Sequence, residues 1–97
     1  MAIIIFTYSA KPGKTAEFEK FLMEVDQPKV RELPSVQSVQ IYRLRPAGPF
    51  AYLEVVSITS RADWDRDHER PDVRAVVEAF AQYGEITRVR LYDADLV

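Results

Sequence analysis

The sequence predicts a single α+β domain over residues 1–97, with the element order β-α-β-β-α-β of a ferredoxin-like sandwich. Three observations predict this fold. Four stretches are rich in β-branched and aromatic residues, as strands are. Two regions between the strands carry apolar residues at helical spacing. No linker, repeat or low-complexity segment divides the chain, so we expect one core.

The first strand and the longest helix are predicted in the first third of the chain. Residues 2–10 are apolar on both parities, which is expected of a strand buried on both faces, and Lys11-Pro12-Gly13 ends that strand. The helix from Lys14 carries an apolar stripe of Phe18, Phe21, Leu22 and Val25. Pro28 lacks the backbone donor that a helix interior needs. We therefore expect the helix to kink or restart there and to stop before Pro34.

A hairpin of two strands is predicted next. Residues 36–45 alternate between apolar and polar side chains, and residues 50–59 are apolar on both parities except for Glu54. The turn Pro46-Ala47-Gly48-Pro49 joins them. Right-handed crossovers together with this hairpin favour the strand order 4-1-3-2. This order places the two strands that are apolar on both faces in the centre of the sheet.

The second helical region and the last strand complete the predicted fold. Ser60 and Asp63 have the spacing of a capping box, and the helix that follows places Trp64 and His68 on one face. Pro71 can open a second helical segment. Its apolar stripe is Val73, Val76, Val77 and Phe80, and Gly84 ends it. In the strand over residues 85–93, one side carries Ile86, Arg88, Arg90 and Tyr92, and the other carries Val89 and Leu91.

The second face of the sheet is predicted to bind another copy of the chain. Two helices cover only one face of a four-stranded sheet, yet strands one and three carry apolar side chains on the other face as well. An exposed apolar patch of that size promotes aggregation. We therefore expect a homodimer in which two sheets form a dimeric α/β barrel with the helices outside. A tetramer or a different partner protein is the alternative.

Composition and charge exclude several classes of function. The net charge of −2 provides no broad positive field, so no binding to nucleic acid or to an anionic membrane is expected. The absence of cysteine excludes disulfides, thiolate nucleophiles and zinc-thiolate sites. The apolar run over residues 2–6 is far shorter than a signal-peptide core or a membrane span, so we expect a cytoplasmic location.

Neither a metal nor a cofactor is predicted. One histidine and no cysteine fit none of the usual zinc patterns. Haem ligation by His68 is conceivable, but no second feature of the sequence indicates it. The sequence contains no glycine-rich phosphate loop and no nucleophile elbow.

Three ionisable residues are candidates for acid-base chemistry. His68 is the only histidine, and imidazole is a common general acid or base, although the charged residues around it also fit an exposed helix position. Asp26 lies at the edge of the apolar stripe, where burial would raise its pKa; alternatively it binds backbone donors or an arginine. Glu54 is the one charge in a predicted central strand, where a charge needs a partner or a polar cavity.

The candidates for substrate binding are Tyr52, Trp64 and Arg43. The two aromatic side chains could stack on a flat ligand. If the hairpin turns at Ala47-Gly48, Arg43 pairs with Tyr52 and lies diagonally from Glu54 on one face of the sheet. A structural salt bridge between Arg43 and Glu54 is then at least as well supported as a catalytic Glu54. A one-residue change in the turn would move Arg43 to the opposite face.

Four short motifs resemble those of the REDY-like/HapK family of the dimeric α/β barrel superfamily. They are Lys-Pro-Gly at 11–13, Glu-Val-Asp-Gln-Pro at 24–28, Arg-Glu-Leu-Pro-Ser-Val at 31–36 and Tyr-Leu-Glu-Val-Val at 52–56. The resemblance covers roughly residues 3–92. It implies the fold and dimerisation more firmly than it implies a reaction.

The resemblance also implies a class of chemistry. The superfamily includes cofactor-free antibiotic-biosynthesis monooxygenases, aromatic polyketide cyclases and haem-dependent enzymes, and its REDY-like members are associated with pyrrole, indole and related secondary-metabolite pathways. A cofactor-free cyclase or tailoring enzyme acting on an aromatic intermediate is therefore expected. In this hypothesis His68 and either Asp26 or Glu54 move protons during ring closure and loss of water. A cofactor-free monooxygenase and a non-catalytic dimer that binds an apolar small molecule are the alternatives.

Overall fold

The computed structural model describes residues 1–97 and contains the expected elements in the expected order. The strands are β1 (Ala2–Ala10), β2 (Val36–Arg43), β3 (Tyr52–Ile58) and β4 (Gly84–Asp93). The α-helices are α1 (Thr15–Phe21), α2 (Gln27–Glu32), α3 (Arg61–Asp67) and α4 (Pro71–Tyr83). A π-helical turn over Leu22–Asp26 connects α1 to α2. No helix is both long enough and apolar enough to cross a membrane.

The strands form one antiparallel sheet in the order β2-β3-β1-β4, which confirms the predicted strand order. The helices pack on one face of this sheet, and the core lies between the two layers as two clusters. One cluster consists of Ala2, Ile4, Val39, Val56 and Ile58, and the other of Tyr8, Phe18, Leu22 and Tyr52. Phe6 packs against both clusters, so the middle of β1 lies where they meet.

The long helix departs from α geometry just before Pro28. The proline ring would crowd the carbonyl group four residues earlier, and widening the helix over Leu22–Asp26 avoids that contact, after which α2 begins at Gln27. The wider turn rotates the residues at its end. Asp26 consequently faces the sheet side, whereas Val25 is 43% exposed. The prediction that Val25 belongs to the apolar stripe was wrong for this reason.

A bulge in β4 changes which side chains face the helices. Phe6 pairs with Val89, but Tyr8 pairs with Ile86, so Thr87 is the additional residue on β4. The Oγ1 of Thr87 donates a hydrogen bond to the backbone oxygen of Thr7 at 2.9 Å and holds the bulge. Ile86 therefore lies on the helix side with Val89, and its predicted placement beside Arg88 was wrong.

The outer face of the sheet, opposite the helices, carries apolar side chains in its two central strands. Ile3 and Ile5 of β1 and Leu53 and Val55 of β3 are all only partly buried there. No helix of the chain covers them. The predicted homodimer would form through this surface.

Gly84 lies between α4 and β4 and is needed for close packing. Its backbone is extended, with φ −135° and ψ 168°, so it does not form a left-handed helix cap. A Cβ atom at this position would lie 2.5 Å from Cε1 of Phe18, whose ring is fully buried. The predicted end of the helix is confirmed, but the reason for glycine is the neighbouring ring.

The Gly84→Ala variant is expected to be about 1–3 kcal/mol less stable than the original protein, because either the Phe18 ring or β4 must move. Urea unfolding measures this difference. Gly48→Ala is the matched control, since nothing lies within 4 Å of a Cβ atom there. Equal stability of the two variants would contradict the packing argument.

Candidate active site

A cavity of about 620 Å³ lies between the helices and the sheet. Its apolar walls include Phe6 of β1, Trp64 of α3, and Val73, Val76 and Phe80 of α4. Side chains of Asp26, Glu54 and His68 also line it. A mostly apolar cavity of this size with a few polar groups suits a small aromatic molecule.

Glu54 is a carboxyl group held in the floor of the cavity by β3. It is only 6% exposed, and the Tyr8 hydroxyl group donates a hydrogen bond to its Oε1 at 2.9 Å. Burial, with a further contribution from the charge of Asp26, raises the pKa of Glu54 to about 7. Burial and the neighbouring Glu54 raise the pKa of Tyr8 far above its usual range, so the phenol remains a donor. Glu54 can therefore both give and take a proton near neutral pH.

Asp26 is the second carboxyl group of this site, and the π-helical turn directs it into the cavity. Burial raises its pKa. The side-chain amide of the next residue, Gln27, donates a hydrogen bond to Asp26 Oδ2 at 3.0 Å and acts against this rise. No salt bridge of the structure includes Asp26 or Glu54. The two acids are thus held by neutral donors.

His68 caps the C-terminus of α3 and stacks against Trp64, with 4.0 Å between the ring centroids. Its Nδ1 lies 2.8 Å from the backbone oxygen of Trp64. Because a carbonyl oxygen only accepts hydrogen bonds, Nδ1 carries the proton of the neutral ring. Nε2 is then free to accept a proton, so the cavity contains an imidazole in addition to its two carboxyl groups.

Comparison with known proteins identifies the family of this chain. The model of the family described as REDY-like protein HapK matches residues 2–93. The chain belongs to the REDY-like HapK family. The structure of HapK from Hahella chejuensis is 28% identical in sequence and has a TM-score of 0.87, with the match covering 97% of this chain and 92% of HapK. No curated protein matches the chain.

Other solved structures share the fold of this REDY-like chain at lower identity. SnoaB from Streptomyces nogalater, described as a cofactor-independent oxygenase, is 16% identical with a TM-score of 0.82, over 99% of this chain and 94% of SnoaB. A structure described as an antibiotic biosynthesis monooxygenase is 18% identical with a TM-score of 0.72, over 99% and 100%. At such identities the likeness shows the common α+β architecture.

Four of the six residues predicted for the site of this REDY-like protein line the cavity. They are the acid-base candidates His68, Asp26 and Glu54 and the aromatic candidate Trp64. Tyr52 and Arg43 lie outside it, in a second, shallower pocket of about 320 Å³. There the Tyr52 hydroxyl group donates to Glu19 at 2.6 Å, and Arg43 forms a two-pronged salt bridge with the same carboxylate.

The predicted salt bridge between Arg43 and Glu54 is not formed. Arg43 does pair with Tyr52, as the predicted turn requires. However, Glu19 of α1 reaches Arg43 at the edge of the sheet, whereas Glu54 is deeper and binds Tyr8. A salt bridge with Arg43 therefore does not explain why a carboxyl group is buried at position 54.

Two residues that hold the acids were not singled out from the sequence. They are Tyr8 and Gln27, and neither is among the site residues predicted above. Strand pairing contains a signal for the first of them. Glu54 pairs with Phe6 across β1 and β3, so Tyr8 is its diagonal neighbour on the same face. Sequence periodicity contains no comparable signal for Gln27, because its orientation depends on the π-helical turn.

No group of three or more His, Asp or Glu side chains that could hold a metal ion occurs in the structure. The cavity instead contains proton-transfer groups within aromatic and aliphatic walls. Such an arrangement can bind an apolar ring, exclude water from it and move protons on and off it.

Proposed function

We propose that this protein is a small cofactor-free cyclase that acts on an aromatic intermediate of pyrrole, indole or polyketide type in secondary-metabolite biosynthesis. The observation that supports it most is Glu54, a buried carboxyl group in an apolar cavity with its pKa raised to about 7. A group that titrates near the working pH is suited to both halves of a proton-transfer reaction.

Ring closure with loss of water needs four proton transfers. Protonated Glu54 gives its proton to a carbonyl oxygen of the substrate while an aromatic ring carbon bonds to the carbonyl carbon. The Glu54 carboxylate then removes the proton from that ring carbon and restores aromaticity. The same carboxyl group next protonates the new hydroxyl group, which leaves as water. A proton taken from the adjacent carbon completes the double bond and returns Glu54 to its starting form.

The other cavity residues have supporting roles in this proposal. Trp64 and the further aromatic walls hold the substrate ring and exclude water. Burial is the main cause of the raised pKa of Glu54, and the negative charge of Asp26 raises that pKa further. Nε2 of His68 can share the proton transfers, because Nδ1 is occupied by the Trp64 carbonyl group.

A cofactor-free monooxygenase is the second candidate function, and the fold shared with SnoaB, a cofactor-independent oxygenase, favours it. In that reaction the same base would remove a substrate proton, and the resulting carbanion would react with O₂ and a proton to form a hydroperoxide. Loss of water from the hydroperoxide would leave one oxygen atom on the substrate as a carbonyl group. Both reactions require the apolar cavity and a buried base. They differ in their need for oxygen.

Turnover under nitrogen tests the proposal. The substrate is the aromatic intermediate that accumulates when the gene is deleted in its producing organism, and the purified protein is added to it with and without oxygen. We expect the same product in both cases, lighter than the substrate by one water in mass spectra. A product that forms only in air and gains an oxygen atom from labelled O₂ would instead assign the oxygenase reaction.

Homodimerisation through the outer face of the sheet is also part of the proposal. The partly exposed Ile3, Ile5, Leu53 and Val55 support it, because paired sheets would bury them. Sedimentation at working concentration tests it, and a lone subunit would contradict it. We also propose the cytoplasm as the location.

A further inference from the structure

The two acids of the cavity, the buried Glu54 and the half-buried Asp26, form no salt bridge with a cation of the protein. Buried carboxylates are normally paired with a cation or kept neutral, because an isolated buried charge is costly. Two lysines line the cavity, Lys11 and Lys29, and neither forms a salt bridge with these acids. Lys29 pairs with Glu32 and Asp72.

The charge of Arg31 acts to lower the pKa of Glu54, but Arg31 forms no salt bridge with either acid. It donates a hydrogen bond to the backbone oxygen of Val39 at 3.3 Å, and it lies outside salt-bridge distance of Glu54. The remaining polar neighbours of the acids are the Tyr8 hydroxyl group and the Gln27 amide, which are neutral. His68 contacts Trp64 and forms no salt bridge.

The apolar walls of the cavity favour positive charge in the same place. Aromatic rings present a negative face, which attracts cations within about 6 Å of the ring centre. Phe6, Tyr8, Trp64 and Phe80 all line the cavity. Between Asp26 and Glu54, a cationic group would meet two carboxyl groups within aromatic walls, whereas the ionised acids would repel an anionic group.

We propose that the cavity binds an aromatic ligand that carries a positive charge, such as a protonated ring-side amine or an iminium group, with this charge placed between Asp26 and Glu54. This inference rests on the proposed function in one respect, that the cavity is the substrate site. It narrows the substrate to aromatic compounds with a basic nitrogen or to reactions that pass through a cationic intermediate.

Three indole compounds of similar size test the preference by calorimetry. They are 2-(indol-3-yl)ethylammonium, the neutral alcohol indole-3-ethanol and the anion indole-3-propionate. At about pH 8, where most Glu54 is ionised, we expect the ammonium compound to bind at least about tenfold more tightly than the alcohol, and the propionate to bind most weakly. At about pH 5 the preference should weaken, because Glu54 is then mostly protonated.

The Asp26→Asn/Glu54→Gln double variant should lose the preference at about pH 8, since both new side chains keep the shape but not the charge. The charge-matched control is Glu24→Gln/Glu78→Gln, two exposed positions without salt bridges, which should retain it. If the alcohol binds as tightly as the ammonium compound, or if none of the three binds, the proposal is wrong. Calorimetry measures binding without turnover. The charge preference can therefore be confirmed when the proposed reaction is not, and the reaction can be confirmed when the preference is not.

Discussion

Replacing Glu54 by Gln is expected to lower kcat by about 10²- to 10⁴-fold, which is the usual contribution of a general acid or base. The amide has the shape of the carboxyl group, and its oxygen can still accept the hydrogen bond from Tyr8. It cannot take up or release the proton at neutral pH. The loss should therefore lie in kcat, with a smaller change in KM, and steady-state kinetics measure both.

Glu19→Gln is the matched control for this prediction. Glu19 also accepts a hydrogen bond from a tyrosine, but it lies outside the main cavity with Arg43 and Tyr52. We expect its kcat to be close to that of the original protein. A loss confined to Glu19→Gln would place the substrate in the second pocket, as the sequence suggested for Arg43 and Tyr52. Turnover that survives in Glu54→Gln, Asp26→Asn and His68→Ala alike would contradict the assignment of the acid-base role to these three residues.

The stability of the protein is expected to depend on pH through Glu54. The folded state raises the pKa of this group from 4.5 to about 7, so between these values the folded protein holds a proton that the unfolded chain has lost. Stability therefore falls as pH rises through this window. The free energy of unfolding of Glu54→Gln minus that of the original protein should therefore increase by about 3 kcal/mol as the pH rises through this window.

Urea unfolding of both proteins at a series of pH values measures this difference. Comparing the two removes the contributions of all other ionisable groups that the substitution leaves unchanged. The Glu19→Gln variant should behave oppositely, because hydrogen bonds from Arg43 and Tyr52 lower the pKa of Glu19 and its ionised form stabilises the fold. A constant difference between Glu54→Gln and the original protein from acid to neutral pH would contradict the raised pKa.

Together these two predictions link activity to stability. Burying Glu54 among apolar residues costs stability at neutral pH, and the same burial produces the pKa that proton transfer needs. Gln at this position should consequently yield a more stable protein at neutral pH that lacks turnover. This opposite change in the two properties is expected of an active-site residue.

The sequence by itself determined the fold and most of the candidate acids. Strand and helix periodicity, the hairpin turn and the Ser60 cap lead directly to the observed elements and strand order. Charge at apolar positions singled out Asp26 and Glu54. These features depend on neighbouring residues in the chain, and local patterns of polarity therefore suffice to predict them.

Only the tertiary structure decided which side chains meet. Because of the π-helical turn, Asp26 faces the cavity and Val25 faces the solvent. Because of the bulge at Thr87, the side chain of Ile86 also faces the cavity. Arg43 forms its salt bridge with Glu19, and Glu54 instead accepts a hydrogen bond from Tyr8. Each of these outcomes depends on a one-residue change of register or on the reach of a side chain from a distant element, and neither quantity appears in the periodicity of a single segment.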